Sequence, residues 1–181
     1  RIVFTSIRTG DIEIFSMKID GSDVRQLTNI AGYDGGAFYS WDGSKIVFRA
    51  SRHAGSDLVS YRNLLSENLV RPSKMELYVM NADGSNMRQI TRNGAANFAP
   101  FWHPDGKHII FASNANDSLG RNFDLFMIDE DGGNMRQLTF EQTFDGFPMF
   151  TRDGRRLIFA SNRGGSRLGE TNLFLADFRL P

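Results

Sequence analysis

One motif repeats along this chain and constrains its fold more than any other feature. A short apolar strand leads to an Asp-Gly turn, to Arg-Gln-(Leu/Ile)-Thr, to an aromatic stretch and a second Asp-Gly turn, and then to a closing apolar run. The Arg-Gln-(Leu/Ile)-Thr element stands at residues 25–28, 88–91 and 136–139. The aromatic residue of the first strand and the Phe of the closing run are always 33 residues apart: Phe15 to Phe48, Tyr78 to Phe111 and Phe126 to Phe159. Such self-similarity is the signature of a repeat architecture.

The turns of the motif indicate that the repeat is made of strands. Asp-Gly pairs favour hairpins, because glycine accepts the positive φ that tight turns need. The chain has 18 Gly and 16 Phe, a composition typical of strands and turns. Each repeat holds four short strands, which we label a to d. Four-stranded antiparallel units that recur along a chain, as these do, match the blades of a β-propeller. We therefore predict an all-β fold, a β-propeller of four-stranded antiparallel blades, with one short helix in an inserted loop.

The repeats divide the chain into blades of a single propeller segment, residues 1–181. The predicted units are a partial blade at 1–28, a blade at 33–91 with an insert at 53–74, a blade at 96–139 and a partial blade at 144–181. About four blades form an open arc, which exposes apolar faces and strand edges. We expect a larger ring, its remaining blades supplied by the rest of a longer chain or by another chain. The missing initiator Met favours a fragment, and a closed four-bladed ring is the less favoured alternative.

The repeat resembles a known family. Residues 98–107 (FAPFWHPDGK) and 109–114 (IIFASN) look like the WD40-like PD40 repeat of TolB-like β-propellers, and the resemblance covers nearly the whole chain. It implies a non-enzymatic scaffold that binds a protein or peptide in the bacterial cell envelope, periplasmic or extracellular. Tricorn-like and prolyl-oligopeptidase-like peptidases share the repeat, so a substrate-gating propeller domain of a larger peptidase is the alternative. Metal-dependent carbohydrate lyases also share it and rank last, because this chain lacks a matching His cluster.

Composition excludes several classes of partner. The 21 Lys and Arg residues balance 21 Asp and Glu, which argues against nucleic-acid binding and against a polybasic membrane anchor. The sequence contains no run of 18 apolar residues, so no membrane insertion is expected. The absence of Cys excludes disulfides and thiolate metal sites.

Length variation points to one face of the propeller as the binding face. The length changes fall in the b–c connections, which share a face with the d–a connections, and variable loops on repeat scaffolds commonly carry binding. Candidate binding residues in the d–a connections are Tyr33, Asp34, Asn97, Phe144 and Asp145. Candidates in the b–c connections are Arg52, Arg62, Arg71, Arg121 and Arg163, since Arg is frequent at interface hot spots. Solvated loop charge is the default interpretation for each arginine taken singly.

Three of these candidates form a column at the start of strand a: Asp34, Asn97 and Asp145. A ring of such side chains near the channel could hold a cation or a basic peptide end. The favoured alternative is that each Asp caps its turn through a bond to the backbone. Three positions also supply too few oxygens for a hard cation.

The long insert carries a predicted helix over residues 57–65. Asp57 is the expected N-cap, Leu58, Tyr61 and Leu65 recur at helical spacing, and Pro72 is expected to end the segment. We favour a capping helix that fills a gap on the rim over a lid or a partner-docking helix, because an apolar helix stripe is usually core.

No catalytic or metal-binding signature stands out. His53, His103 and His108 show no helical i,i+4 spacing, and the last two flank a hairpin turn where surface positions are expected. The sequence has no G-x-S-x-G elbow, Cys nucleophile or phosphate loop. We therefore expect no catalytic residue, no metal and no cofactor.

Overall fold

A computed structural model describes residues 1–71, 74–167 and 169–180, and in these residues fourteen strands form four antiparallel sheets. Blade 1 contains β1 (Ile2–Ser6), β2 (Glu13–Met17) and β3 (Arg25–Gln26). Blade 2 contains β4 (Asp34–Tyr39), β5 (Lys45–Ala50), β6 (Glu76–Asn81) and β7 (Arg88–Gln89). Blade 3 contains β8 (Asn97–Trp102), β9 (His108–Ser113), β10 (Asp124–Asp129) and β11 (Arg136–Gln137). Blade 4 contains β12 (Asp145–Phe150), β13 (Arg156–Ser161) and β14 (Asn172–Asp177). The predicted all-β propeller class is confirmed.

The Asp-Gly pairs form the hairpin turns for a local reason. In the turn between β4 and β5, the Asp42 carboxylate accepts the backbone N–H of Ser44 at 3.0 Å, and Gly43 adopts φ 73°. Asp105 and Asp153 accept the N–H two residues ahead in the same way, at 2.9 and 3.1 Å. A side-chain cap followed by a residue with positive φ explains why the pair recurs.

The hydrophobic core is divided into three parts, one between each pair of consecutive blades. Between blades 1 and 2 it contains Ile14, Leu27, Ile46 and Phe48; between blades 2 and 3, Val47, Leu77, Trp102 and Phe111; between blades 3 and 4, Ile110, Leu125, Phe150 and Phe159. Strands b and c are therefore buried on both faces, which is why they are continuous apolar runs. Among the described residues, blades 1 and 4 do not touch, so the blades form an open arc.

The outer face of blade 4 carries apolar residues at positions that are buried between blades elsewhere in the arc. In blade 3 the equivalent residues Leu125 and Met127 are fully buried, whereas Leu173 and Leu175 of blade 4 are 80% and 59% exposed. Contiguous apolar surface of this kind marks an interaction surface.

The insert forms one helix, α1 (Gly55–Ser66). A helix is predicted here, but it begins before the predicted first residue. Ala54 is the N-cap and Asp57 lies in the first turn, so the predicted cap at Asp57 is wrong. Tyr61 is the buried residue of the helix, and its hydroxyl lies 3.0 Å from the carbonyl oxygen of Gly32 and also contacts Asp11. Pro72, the predicted end, falls outside the described residues. Within them, no helix is both long enough and apolar enough to cross a membrane.

Phe111 tests the core between blades 2 and 3. Its side chain is fully buried and stacks on Phe126 with ring centroids 5.9 Å apart. We predict that Phe111→Ala lowers the free energy of unfolding by about 3–5 kcal/mol, because it removes a buried ring and leaves a cavity. Urea denaturation measures this. Phe140→Ala, at a 71% exposed site, is the control and changes the value by no more than about 0.5 kcal/mol. Equal effects of the two variants would contradict the assignment.

Candidate functional site

A buried polar junction lies at each boundary between blades and explains the Thr of the repeated motif. The Thr28 hydroxyl accepts the backbone N–H of Ile14 at 2.8 Å and donates to the Glu13 carboxylate. Thr91 bonds in the same way to the backbone of Leu77 at 2.8 Å and to Glu76 at 2.5 Å, and Thr139 to Leu125 at 2.9 Å and Asp124 at 3.2 Å. Each junction thus fixes strand d against strand c, directly beside the first residue of the next blade.

The first residues of blades 2, 3 and 4 are the three residues of the predicted column, and all three are buried. The side chains of Asp34, Asn97 and Asp145 are fully buried. Asp34 accepts a charged hydrogen bond from Arg52 at 2.6 Å, and Asp145 accepts one from Arg163 at 2.5 Å. The structure therefore pairs four residues that the sequence suggests as separate binding positions. The favoured expectation, that each Asp caps its own turn, is wrong for Asp34 and Asp145: the bond of each carboxylate is to an arginine 18 residues further along the chain.

Both arginines are also stacked on aromatic rings. The Arg52 guanidinium lies 5.0 Å from the ring centroid of Tyr78, and that of Arg163 lies 5.1 Å from Phe159. A cation over an aromatic face gains electrostatic stabilisation. Each arginine is thus held between a buried carboxylate and an aromatic ring.

Blade 3 departs from this pattern at two coupled positions. Asn97 stands where the other blades have Asp, and Ala115 stands where they have Arg. The Asn97 amide donates to the carbonyl oxygen of Met75 at 2.7 Å and accepts from the Ser113 hydroxyl at 2.7 Å. A neutral amide satisfied in this way needs no cation, so the loss of the arginine leaves no buried charge unpaired.

Blade 3 also differs from blades 2 and 4 in the position of an aromatic ring beside the junction. Tyr33 and Phe144 precede the junction Asp residues, and each ring lies over a glycine, Gly35 or Gly146. A Cβ at those glycines would lie 2.6 Å from the Tyr33 hydroxyl and 2.4 Å from the Phe144 ring. Blade 3 carries Ala96 and Phe98 at the equivalent positions. The small and the large residue have changed places.

The truncated positions of blade 3 border a cleft of about 860 Å³ on the loop face. The cleft is lined by four aromatic rings in sequence, with centroid separations of 5.6, 6.1 and 6.0 Å: Phe98, Phe123, Phe144 and Phe147. Small side chains line it as well: Ala96, Ala99, Ala112 and Ala115. Polar residues form the rest of the lining, including Lys74, Asn114 and Asp117. Leu119 and Phe147 are 74% and 63% exposed beside it. An apolar concavity of this kind suits an apolar ligand group.

Of the ten predicted binding residues, Phe144 lines this cleft directly. Tyr33 is half-buried, and its hydroxyl accepts from Arg49 at 3.0 Å. The arginines outside the junctions are exposed on α1 and in the loops: Arg62, Arg71 and Arg121. The cleft itself was missed by sequence reasoning, although alignment of the repeats shows its signal as the Ala residues at 96 and 115.

The first junction holds two buried carboxylates and one arginine. Burial raises the pKa of Asp34 to about 7, against the opposing charge of Arg52 and with a further rise from neighbouring Glu13. Burial also raises the pKa of Glu13. One guanidinium cannot balance two carboxylates that are themselves almost fully buried, so a proton is retained near neutral pH.

This retained proton makes stability depend on pH. Because the folded-state pKa of Asp34 lies above its ordinary value of 3.8, the folded chain binds a proton that the unfolded chain has lost. The free energy of unfolding therefore falls as pH rises from about 4 to about 7, by on the order of 2–4 kcal/mol. We predict that Asp34→Asn, which copies the amide of blade 3, flattens this decline in urea denaturation curves.

Asp57→Asn, on the exposed side of α1, is the control and should follow the wild-type pH profile. A wild-type decline that persists in Asp34→Asn would show that the junction carboxylates are not its source.

Comparison with known proteins fits this architecture. No protein-family model matches the chain. The chain is 27% identical to a TolB homolog of Chlorobium chlorochromatii (strain CaD3) over 137 residues, covering 62% of this chain and 31% of that protein. It is 46% identical over 44 residues to dipeptidyl-peptidase 5 of Porphyromonas gingivalis, covering 24% of this chain and 6% of that protein. The chain thus spans no more than about a third of either relative.

Among solved structures, TolB from Acinetobacter baumannii superimposes with a TM-score of 0.73 at 20% identity. The match covers 97% of this chain and 37% of that one. The described residues have the fold of a TolB-like β-propeller.

Proposed function

We propose that this propeller segment is a non-enzymatic scaffold of the bacterial cell envelope, periplasmic or extracellular, that binds a protein or peptide on its loop face. The aromatic cleft of blade 3 is the observation that carries the proposal. It lies among the variable loops, where repeat scaffolds commonly bind. The location and the non-enzymatic role are what the resemblance of the repeats to TolB-like propellers implies, and the match to a TolB homolog is in keeping with that resemblance.

The cleft suits an apolar side chain of an extended peptide. Burying one Leu or Phe side chain contributes about 1.5–3 kcal/mol, so useful affinity requires several contacts around the anchor. Leu119 and Phe147 beside the cleft offer apolar contacts, and Lys74 and Asp117 in the lining offer charge. Arg62, Arg71 and Arg121 on the same face are proposed outer contacts. The Asp145–Arg163 pair acts indirectly, because it lies in blade 4, where Phe144 and Phe147 beside Asp145 form one wall of the cleft. The Asp34–Arg52 pair lies at another junction and holds blade 2 in the same way.

A second function follows from the match to dipeptidyl-peptidase 5. The segment would then be a substrate-gating propeller domain of a larger peptidase, with the chemistry outside these residues. The loop face would select which peptides pass. The complete reading frame distinguishes the two, because a hydrolase domain with a G-x-S-x-G elbow would decide for the peptidase.

The remaining blades are also part of the proposal. The exposed Leu173 and Leu175 on blade 4 support a further blade packed on this face. It would come from the rest of a longer chain or from another chain.

The double variant Asn97→Asp/Ala115→Arg tests the binding proposal. It rebuilds in blade 3 the Asp–Arg pair of blades 2 and 4, so the fold should be retained while the arginine occupies part of the cleft. Peptides selected from a random phage-displayed library against the wild-type chain are the probe. We predict that the variant binds them at least about tenfold more weakly in calorimetry, a loss of about 1.4 kcal/mol or more.

Ile19→Arg adds an arginine at an 85% exposed site in a c–d turn, away from the loop face, and should bind the peptides like wild type. Equal affinity of the double variant and wild type would rule out the cleft as the binding site.

A further inference from the structure

Blade 3 carries a second unusual cluster in its a–b turn, on the face opposite the cleft. His103, Asp105 and His108 each place one possible metal-ligand atom within 4.8 Å of the others. The Asp105 carboxylate lies 3.1 Å from Nδ1 of His103 and 2.6 Å from Nδ1 of His108. Two imidazoles thus converge on one carboxylate within a single hairpin.

The equivalent turns of blades 2 and 4 contain no histidine. Their residues are Ser40, Asp42 and Lys45 in blade 2, and Thr151, Asp153 and Arg156 in blade 4. In both, a hydroxyl bonds the Asp at 2.6 Å and closes the turn. Folding of this hairpin therefore needs only a hydroxyl and a cation at these positions. The two histidines of blade 3 exceed what the turn requires.

The His103 ring is held in place by its packing. His103 is 7% exposed, so its predicted surface position is wrong. The ring packs edge-on against Phe150 at 4.8 Å, and its Nε2 occupies space over Gly154, where a Cβ would approach to 2.7 Å. The Asp105 backbone N–H is directed at Nδ1 from 3.2 Å. Nδ1 therefore serves as an acceptor and faces the carboxylate.

The His108 ring has the surroundings of a metal ligand. Nδ1 faces Asp105, and Nε2 lies 3.5 Å from the carboxylate of Asp129 on β10. Metal-bound histidines commonly direct their second ring N–H to a carboxylate, which sets the tautomer and the ring orientation. Asp129 can thus hold the proton on Nε2 and leave the lone pair of Nδ1 directed into the cluster.

We propose that His103, Asp105 and His108 form a binding site for one borderline first-row divalent cation, with Zn²⁺ as the representative case. The ligand atoms are Nδ1 of both histidines and one carboxylate oxygen of Asp105. Two imidazoles and a carboxylate suit Zn²⁺, Ni²⁺ or Cu²⁺ rather than Ca²⁺ or Mg²⁺. Binding replaces two hydrogen bonds, the one between His108 and Asp105 and the one from the Asp105 backbone N–H to Nδ1 of His103. The neutral His108 ring then carries its proton on Nε2, facing Asp129, instead of on Nδ1, so the ring keeps one proton. A fourth position stays open to water or an external ligand.

This proposal reverses the sequence-based expectation of no metal. The spacing H-x-D-x-x-H is not a helical ligand pattern, but a hairpin brings its first and last residues to the same side of the turn. The site does not depend on the proposed peptide binding.

Titration of the chain with ZnCl₂, followed by calorimetry and native mass spectrometry, tests the site. Wild type should bind one Zn²⁺. The variants His103→Ser and His108→Lys install the residues found in blade 2, so the hairpin should fold, and each should weaken binding at least about 100-fold. Asp129→Asn should keep the stoichiometry and weaken binding about tenfold. His53→Ala, which removes a histidine far from the cluster in sequence, is the control and should bind like wild type.

One-to-one binding of unchanged affinity in both His103→Ser and His108→Lys would overturn the proposal, as would loss of binding in His53→Ala. Urea midpoints without metal check the fold of every variant. If His103→Ser unfolds, His108→Lys carries the test alone, because the His108 side chain is partly exposed. Substitution by Co²⁺, followed by visible absorption, should report imidazole coordination in wild type and not in His108→Lys.

Discussion

The architecture depends on how charge is balanced inside the junctions between blades. Each junction brings a Thr and an acid of one blade beside the fully buried first residue of the next, where an unpaired charge would be costly. Two solutions occur along this chain. Asp34 and Asp145 are each matched by an arginine stacked on an aromatic ring, whereas Asn97 places a neutral amide at this position. In blades 2 and 4 the arginine lies against Tyr78 or Phe159. In blade 3 the arginine is absent, and Ala115 borders the open cleft instead.

Blade 3 is the blade that differs, and it differs at both ends. At the loop face the amide solution makes an arginine unnecessary, and Ala96 and Ala115 border an aromatic cleft. At the opposite end, imidazoles replace the hydroxyl and the cation of the a–b turn. The surrounding blades serve as internal references, because they show which residues the fold needs at each position. Departures that the fold does not need are the best guide to function within one repeat protein.

The sequence contains the fold in its local signals. Turn glycines and apolar runs act over a few residues, so the blades and their strands could be predicted. The site could not, since the bond from Asp34 to Arg52 joins residues 18 positions apart through packing that no local pattern encodes. The start of α1 shows the same limit at short range. Asp57 has the chemistry of an N-cap, yet the helix begins earlier, with Ala54 as its N-cap and no side-chain cap bond.

The central claim is that the cleft of blade 3 is a usable binding site, open because the neutral Asn97 there has no arginine partner and Ala115 stands in the arginine's place. Methyl NMR of the chain labelled with ¹³C-alanine, titrated with a selected peptide, tests it most directly. The account predicts shifts of the Ala96, Ala99 and Ala115 methyl signals, with Ala176 on the exposed strand of blade 4 unchanged. A shift of the Ala176 signal with the signals of Ala96, Ala99 and Ala115 unmoved would contradict it and would place binding on the open end of the arc.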